Sequence, residues 1–194
     1  MRHALLLSLL FLGVTPNASA QSVSDPALAV TTFVSDASLS PATALKWALD
    51  GTSRLFVVKK TGDVRLIENG ILLSEPFLTE PAVYTNSEGG LLGIAFDPDY
   101  LLNRYVYFFV SVSASRQLIV RYTDRGTHGD ERTVIGGPLP TAGANHVGGG
   151  LAFGADGYLY WGIGDLGNGS GVDADLTSLA SKIGRAFPDG RPAP

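Results

Sequence analysis

His146 and Asp165 bracket the stretch NHVGGGLAFGADGYLYWGIGD, which runs from Asn145 to Asp165 and sets a glycine-dense turn against a strand. An imidazole near a carboxylate is the pairing of a base with its orienter. The carboxylate accepts from one ring nitrogen, fixes the tautomer, and stabilises the cation formed when the other nitrogen takes a proton. The stretch is therefore expected to present a buried catalytic base. Its structural alternative is a core histidine satisfied by backbone groups. Gly148 and Gly149 would bend the chain where a Cβ could not fit, and would let a ligand approach the backbone closely.

Two neighbouring patterns invite other chemistry. Gly162-Ile163-Gly164-Asp165-Leu166-Gly167 matches GxGxxG after a strand, yet Asn168-Gly169-Ser170-Gly171 follows where a dinucleotide fold requires a helix. The oxygen-rich run Asp165, Asn168, Ser170, Asp173 and Asp175 has the donors a hard cation takes, but its spacing fits no EF-hand loop. It reads as a solvated loop, and no metal ligand is assigned in this chain.

The elements that must position these residues are strands. Arg54 to Lys59 and Val64 to Glu68 flank the turn Thr61-Gly62-Asp63, and Asn69-Gly70 turns the chain again toward Ile71 to Leu73. Tyr105 to Val112 is apolar on both faces, which predicts a strand sandwiched between two layers, and Leu118 to Tyr122 follows it. Three segments also superpose: ALKWALDGTSRLFVV from Ala44, LLGIAFDPDYLLNRYVYFFV from Leu91 and GGLAFGADGYLYWGI from Gly149. Trp47, Phe96 and Phe153 take equivalent places in them, at separations of 49 and 57 residues. Such periods predict propeller blades, with a β-sandwich as the alternative.

Composition agrees with a packed exported protein. The chain has 194 residues, 45% hydrophobic and 16% charged, with 24 glycines and 11 prolines, which favours β-structure broken by tight turns over disorder. The formal net charge is −4, and Arg2 lies in the leader, so the remainder is more negative still and offers nothing to nucleic acid or an anionic membrane. Residues 1–20 read as a secretory signal peptide: Arg2 and His3, an apolar run from Ala4 to Val14, and the small-residue box Ala18-Ser19-Ala20. That run is too short to span a bilayer. With no cysteine, disulfides, thiolate metal sites and lipid attachment are excluded, and a bacterial periplasmic or secreted location is expected. Asn168-Gly169-Ser170 is a sequon of consequence only in a eukaryotic secretory route.

Glu88-Gly89-Gly90-Leu91-Leu92-Gly93-Ile94-Ala95-Phe96-Asp97-Pro98-Asp99-Tyr100, then His146-x-Gly148-Gly149-x-Leu151-x-Phe153-Gly154, Asp156-Gly157-Tyr158-Leu159-Tyr160 and Gly164-Asp165, resembles the glucose/sorbosone dehydrogenase family. Its members are soluble quinoproteins. The resemblance extends from the Ala44 to Leu78 stretch to Asp175-Leu176-Thr177-Ser178-Leu179. It implies an all-β fold, a six-bladed propeller of which residues 21–194 carry about three blades. It also implies pyrroloquinoline quinone (PQQ) with calcium, and oxidation of small aldose sugars at the anomeric carbon. His146 would be the general base and Asp165 its orienter, with Gly148 and Gly149 against the cofactor. The arginines and lysine that grip the quinone, and the groups that hold calcium, would lie mostly outside this chain.

Three places depart from the family pattern. Lys59-Lys60 stands where an acidic residue or glutamine usually ends the second strand, Gly150 replaces a bulky or basic residue, and Ser181-Lys182-Ile183-Gly184-Arg185-Ala186 weakens an apolar alternation. The sequence is read as a truncated N-terminal half whose open blade faces favour self-association. The alternatives are a noncatalytic secreted propeller fragment that binds a carbohydrate or protein partner, and a remnant with no independent function.

Overall fold

The structure, a computed structural model, describes residues 24–141, 145–167 and 171–194. The signal-peptide segment and the Asn168 sequon lie outside the described residues. The described residues up to Phe33 belong to one unit and those from Val34 to Pro194 to the other. In the first, residues 24–33 carry no helix or strand; Asp25 accepts the N–H of Ala27 at 2.9 Å.

The second unit consists of three antiparallel sheets in chain order. The first contains β1 (Ala42–Trp47), β2 (Arg54–Lys59), β3 (Asp63–Glu68) and β4 (Ile71–Leu72), with β5 (Leu78–Thr79) also paired to β3. The second runs β6 (Leu91–Phe96), β7 (Tyr105–Ser113), β8 (Arg116–Asp124) and β9 (Gly129–Pro140), with the short helix α1 (Tyr100–Asn103) between β6 and β7. The third holds β10 (Leu151–Phe153), β11 (Leu159–Ile163) and β12 (Lys182–Ala186). These are three blades of an all-β propeller, and the first strands β1, β6 and β10 lie side by side. The turns form where the sequence places them: Asn69 and Gly70, at φ 51° and 79°, join β3 to β4 in the left-handed geometry of a tight hairpin.

The internal repeat is structural. Trp47, Phe96 and Phe153 each close the first strand of a blade and pair with Leu55, Val106 and Leu159 on the second. The doubly apolar run forms β7, and its alternating side chains serve two cores. Val106, Phe108 and Val110 join Phe56, Phe77 and Phe96 between the first two blades, whereas Tyr107 and Phe109 join Leu159 and Ile163 toward the third. Phe56 meets Phe77 and Phe96 edge to face at 4.9 and 5.1 Å.

Two features go beyond the sequence reading. Strand β9 has twelve residues, mostly exposed, with register shifts against β8. Its string GDERTVIGGPLP shows no alternation to betray it. The second feature is a buried ionic cluster joining blades one and two. Arg54, 5% exposed, donates to Asp124 at 2.8 and 3.2 Å, to Asp50 at 2.7 Å, to the Tyr100 hydroxyl at 3.0 Å and to the Gly126 carbonyl at 2.7 Å. Arg104 reaches the same two aspartates from the other side. Burial alone would raise the Asp50 pKa, but hydrogen bonds from Thr52, Arg54 and Arg104 hold it well below the carboxylate range.

Candidate active site

His146 sits where the chain passes from blade two to blade three. Its φ of 53° is left-handed, unusual outside glycine, and that turn places its ring in solvent, while the next residue, Val147, points into the core at 3% exposure. The His146 side chain is 56% exposed and that of Asp165 35%. The expectation of a buried base is thereby corrected: the ring stands on a loop at a blade tip, with no core layer above it among the described residues.

Pairing of the two residues is as the spacing anticipates. Nδ1 of His146 lies 2.5 Å from Oδ1 of Asp165, which also accepts the N–H of Gly167 at 2.9 Å. The Gly167 N–H and the imidazole hold the Asp165 carboxyl below its usual pKa, and that carboxylate raises the imidazole above its ordinary value. Nε2 makes no hydrogen bond among the described residues, which leaves it able to accept a proton.

Glycines make the approach of the two segments possible. A Cβ on Gly164 would lie 2.0 Å from the His146 carbonyl oxygen, and one on Gly148, at φ 92°, would lie 2.3 Å from the Gly162 oxygen. The segment after His146 is thereby pressed against the end of β11. Gly148 through Leu151 then forms one side of a groove of about 500 Å³, whose other sides are Thr43–Lys46 of β1 and Leu92–Ile94 of β6. All three blades thus contribute their first strands to the groove.

The profile of the glucose/sorbosone dehydrogenase family matches residues 39–194. The chain belongs to this family. Among solved structures, the PQQ-bound aldose sugar dehydrogenase of Streptomyces coelicolor aligns over 80% of the chain and 49% of its own, at 33% identity and a TM-score of 0.67. Aldose sugar dehydrogenase YliI of Escherichia coli K12 is 29% identical over 143 residues, which is 70% of this chain and 38% of the enzyme. Mouse Hedgehog-interacting protein is 33% identical over 135 residues, 60% of this chain and 19% of that protein. The chain therefore spans half or less of the length of each of these relatives.

Two other patterns of the sequence lie next to this pair. Strand β11 ends at Ile163 and no helix follows it among the described residues, so the GxGxxG match has no dinucleotide-binding context. In the oxygen-rich run, Asp165 is committed to His146 and Gly167, and Asp175 accepts from the N–H and hydroxyl of Thr177. Among the described residues, no three His, Asp or Glu side chains gather as a metal site. No described helix is long and apolar enough to cross a membrane.

The sequence reading gave no role to three residues beside His146. Glu88 accepts the His146 backbone N–H at 2.5 Å, the Ser87 hydroxyl bonds the Asn145 side-chain oxygen at 2.6 Å, and the Lys60 ammonium donates to the Ser87 carbonyl. The available signal was the acidic residue just ahead of Gly89-Gly90.

Proposed function

We propose that this chain supplies the base-bearing wall of a PQQ-dependent aldose dehydrogenase. The observation that supports it is the His146–Asp165 pair, carried on the segment that two residues on, at Gly148, begins to line a groove built by three blades. The sugar hydroxyl would give its proton to Nε2, while Asp165 stabilises the imidazolium that forms and holds the ring in place. PQQ, when bound, would supply the two-electron acceptor for the hydride of the anomeric carbon.

The groove fits one side of such a cofactor. The backbone of Gly148 and Gly149 would face a flat ring, and a Cβ at Gly150 would meet nothing within 4 Å, so that side is open. For a tricarboxylate the charge supply is thin: Lys46 is the only cation among the groove residues. Further cations must come from outside the groove, and among the described residues no three His, Asp or Glu side chains gather for a metal. Export with removal of residues 1–20, leaving a propeller segment from 21 to 194, belongs to the same proposal; N-terminal sequencing of the secreted protein checks it.

The test is dye reduction by glucose and other aldoses after the purified chain is mixed with PQQ and calcium. Activity that disappears in His146→Ala supports the reading. Activity unchanged by that substitution, or none at all, overturns it.

A second reading rests on the likeness to Hedgehog-interacting protein, at 33% identity. There the propeller segment would serve as a noncatalytic surface for a protein or carbohydrate. An inactive chain that still binds a sugar or a protein ligand in calorimetry would favour it.

A further inference from the structure

We propose that Glu88 is a positioning residue: its carboxylate clamps the backbone N–H of His146 and thereby fixes the left-handed turn that presents the ring. The proposal deepens the reading of His146 as the base and rests on it. Glu88 and His146 are 58 residues apart and belong to different blades, so their 2.5 Å contact joins the loop before β6 to the loop before β10. His146 has no Cβ-free escape from φ 53°, and such a conformation persists only when its surroundings over-determine it. A charge-assisted hydrogen bond to the N–H is a device of that kind.

The loop that carries Glu88 is itself held. The Lys60 ammonium donates to the Ser87 carbonyl, and the Ser87 hydroxyl bonds Asn145 at 2.6 Å. Tyr84 donates its N–H to Ser111 of β7 at 2.8 Å, and Gly89 donates to Asn86 at 2.9 Å. Lys60, one of the two lysines that break the family pattern, thus supports the clamp. The charged groups facing His146 are then Asp165, at the ring, and Glu88, at the backbone; both are anionic and both favour the imidazolium.

Beyond residues 1–20 the chain has two histidines, His128 and His146, so ring titration and amide exchange of His146 can be followed by NMR with His128→Gln fixing the assignment. In the wild type, the His146 amide should exchange slowly despite its exposed loop. Glu88→Gln keeps an acceptor oxygen and should keep that protection, while the ring titrates lower for want of the charge. Glu88→Ala should speed the amide's exchange at least tenfold and move the ring pKa down further. If the chain oxidises aldoses, Glu88→Ala should lower kcat about tenfold with little change in KM, and Glu88→Gln should restore most of it. An unprotected His146 amide in the wild type, or exchange and titration untouched in Glu88→Ala, overturns the proposal. Absence of dehydrogenase activity would refute the enzyme reading alone, because the exchange and titration measurements need no cofactor.

Discussion

Oδ1 of Asp165 receives both Nδ1 of His146 and the N–H of Gly167, at 2.5 and 2.9 Å, so one oxygen both anchors its own loop and aims the ring. The two bonds divide the labour. Gly167 keeps the carboxylate ionised, and the ionised carboxylate raises the imidazole above its ordinary 6.5.

A base must be neutral to act, so a raised imidazole pKa moves the rising limb of the pH–rate profile upward. In the wild type, kcat/KM should climb with pH through a midpoint above 6.5. Asp165→Asn removes the charge that raised it. The midpoint should then fall, while turnover drops by about 10²-fold or more because the tautomer is no longer set. An unchanged midpoint in Asp165→Asn would refute the coupling; NMR titration of His146 reads the same shift without turnover.

Gly148 should tolerate no side chain. Its φ of 92° and the 2.3 Å separation of a Cβ from the Gly162 oxygen predict that Gly148→Ala costs about 1–3 kcal/mol. Gly150→Ala, with open space around its Cβ, should lie within about 0.5 kcal/mol of the wild type. Denaturant midpoints of the two variants check the contrast, and equal stabilities would contradict the packing of this turn.

How legible these features were depends on the kind of signal. Strands β2, β3 and β7 and their turns could be read because apolar period and turn residues are local properties, and the places of Trp47, Phe96 and Phe153 revealed the blades. Strand β9 could not, since its charged and glycine-rich string fits a loop as well as an edge strand. His146 and Asp165 were legible as a pair by their motif. The exposure of His146 was not, because it depends on a backbone turn of one residue. Arg54 and Asp124 were invisible to each other in sequence: 70 residues separate them, and only closure of blade one on blade two brings them together.

That closure yields a stability prediction. Arg54→Ala removes one of the two guanidinium partners of Asp124, whose side chain is fully buried, and with Arg104 still in place should cost about 1–3 kcal/mol. Asp50 adds a pH dependence. Its folded pKa is depressed, so its contribution is present above the unfolded value near 3.8 and is lost as pH falls below it. The thermal midpoint should therefore decline below about pH 4, and Asp50→Asn should decline less steeply over that range. Parallel curves for the two proteins would remove Asp50 from the account.

Gly150 offers the sharpest test of the groove as an anion site. It is exposed, lies on the groove wall, and leaves room for a side chain. The groove now presents Lys46 as its one cation, too few for a tricarboxylate. Gly150→Arg would add a planar donor pair suited to a carboxylate, and at an exposed position such a contact contributes about 0.2–1 kcal/mol, rising toward 3 kcal/mol if it is bidentate and shielded. PQQ should consequently bind between about twofold and a hundredfold tighter by calorimetry, with the gain shrinking as salt is raised. Gly150→Gln, matched in bulk but uncharged, should leave affinity unchanged. An Arg variant with no gain, or a Gln variant with the same gain, would show that the quinone does not lie along this wall.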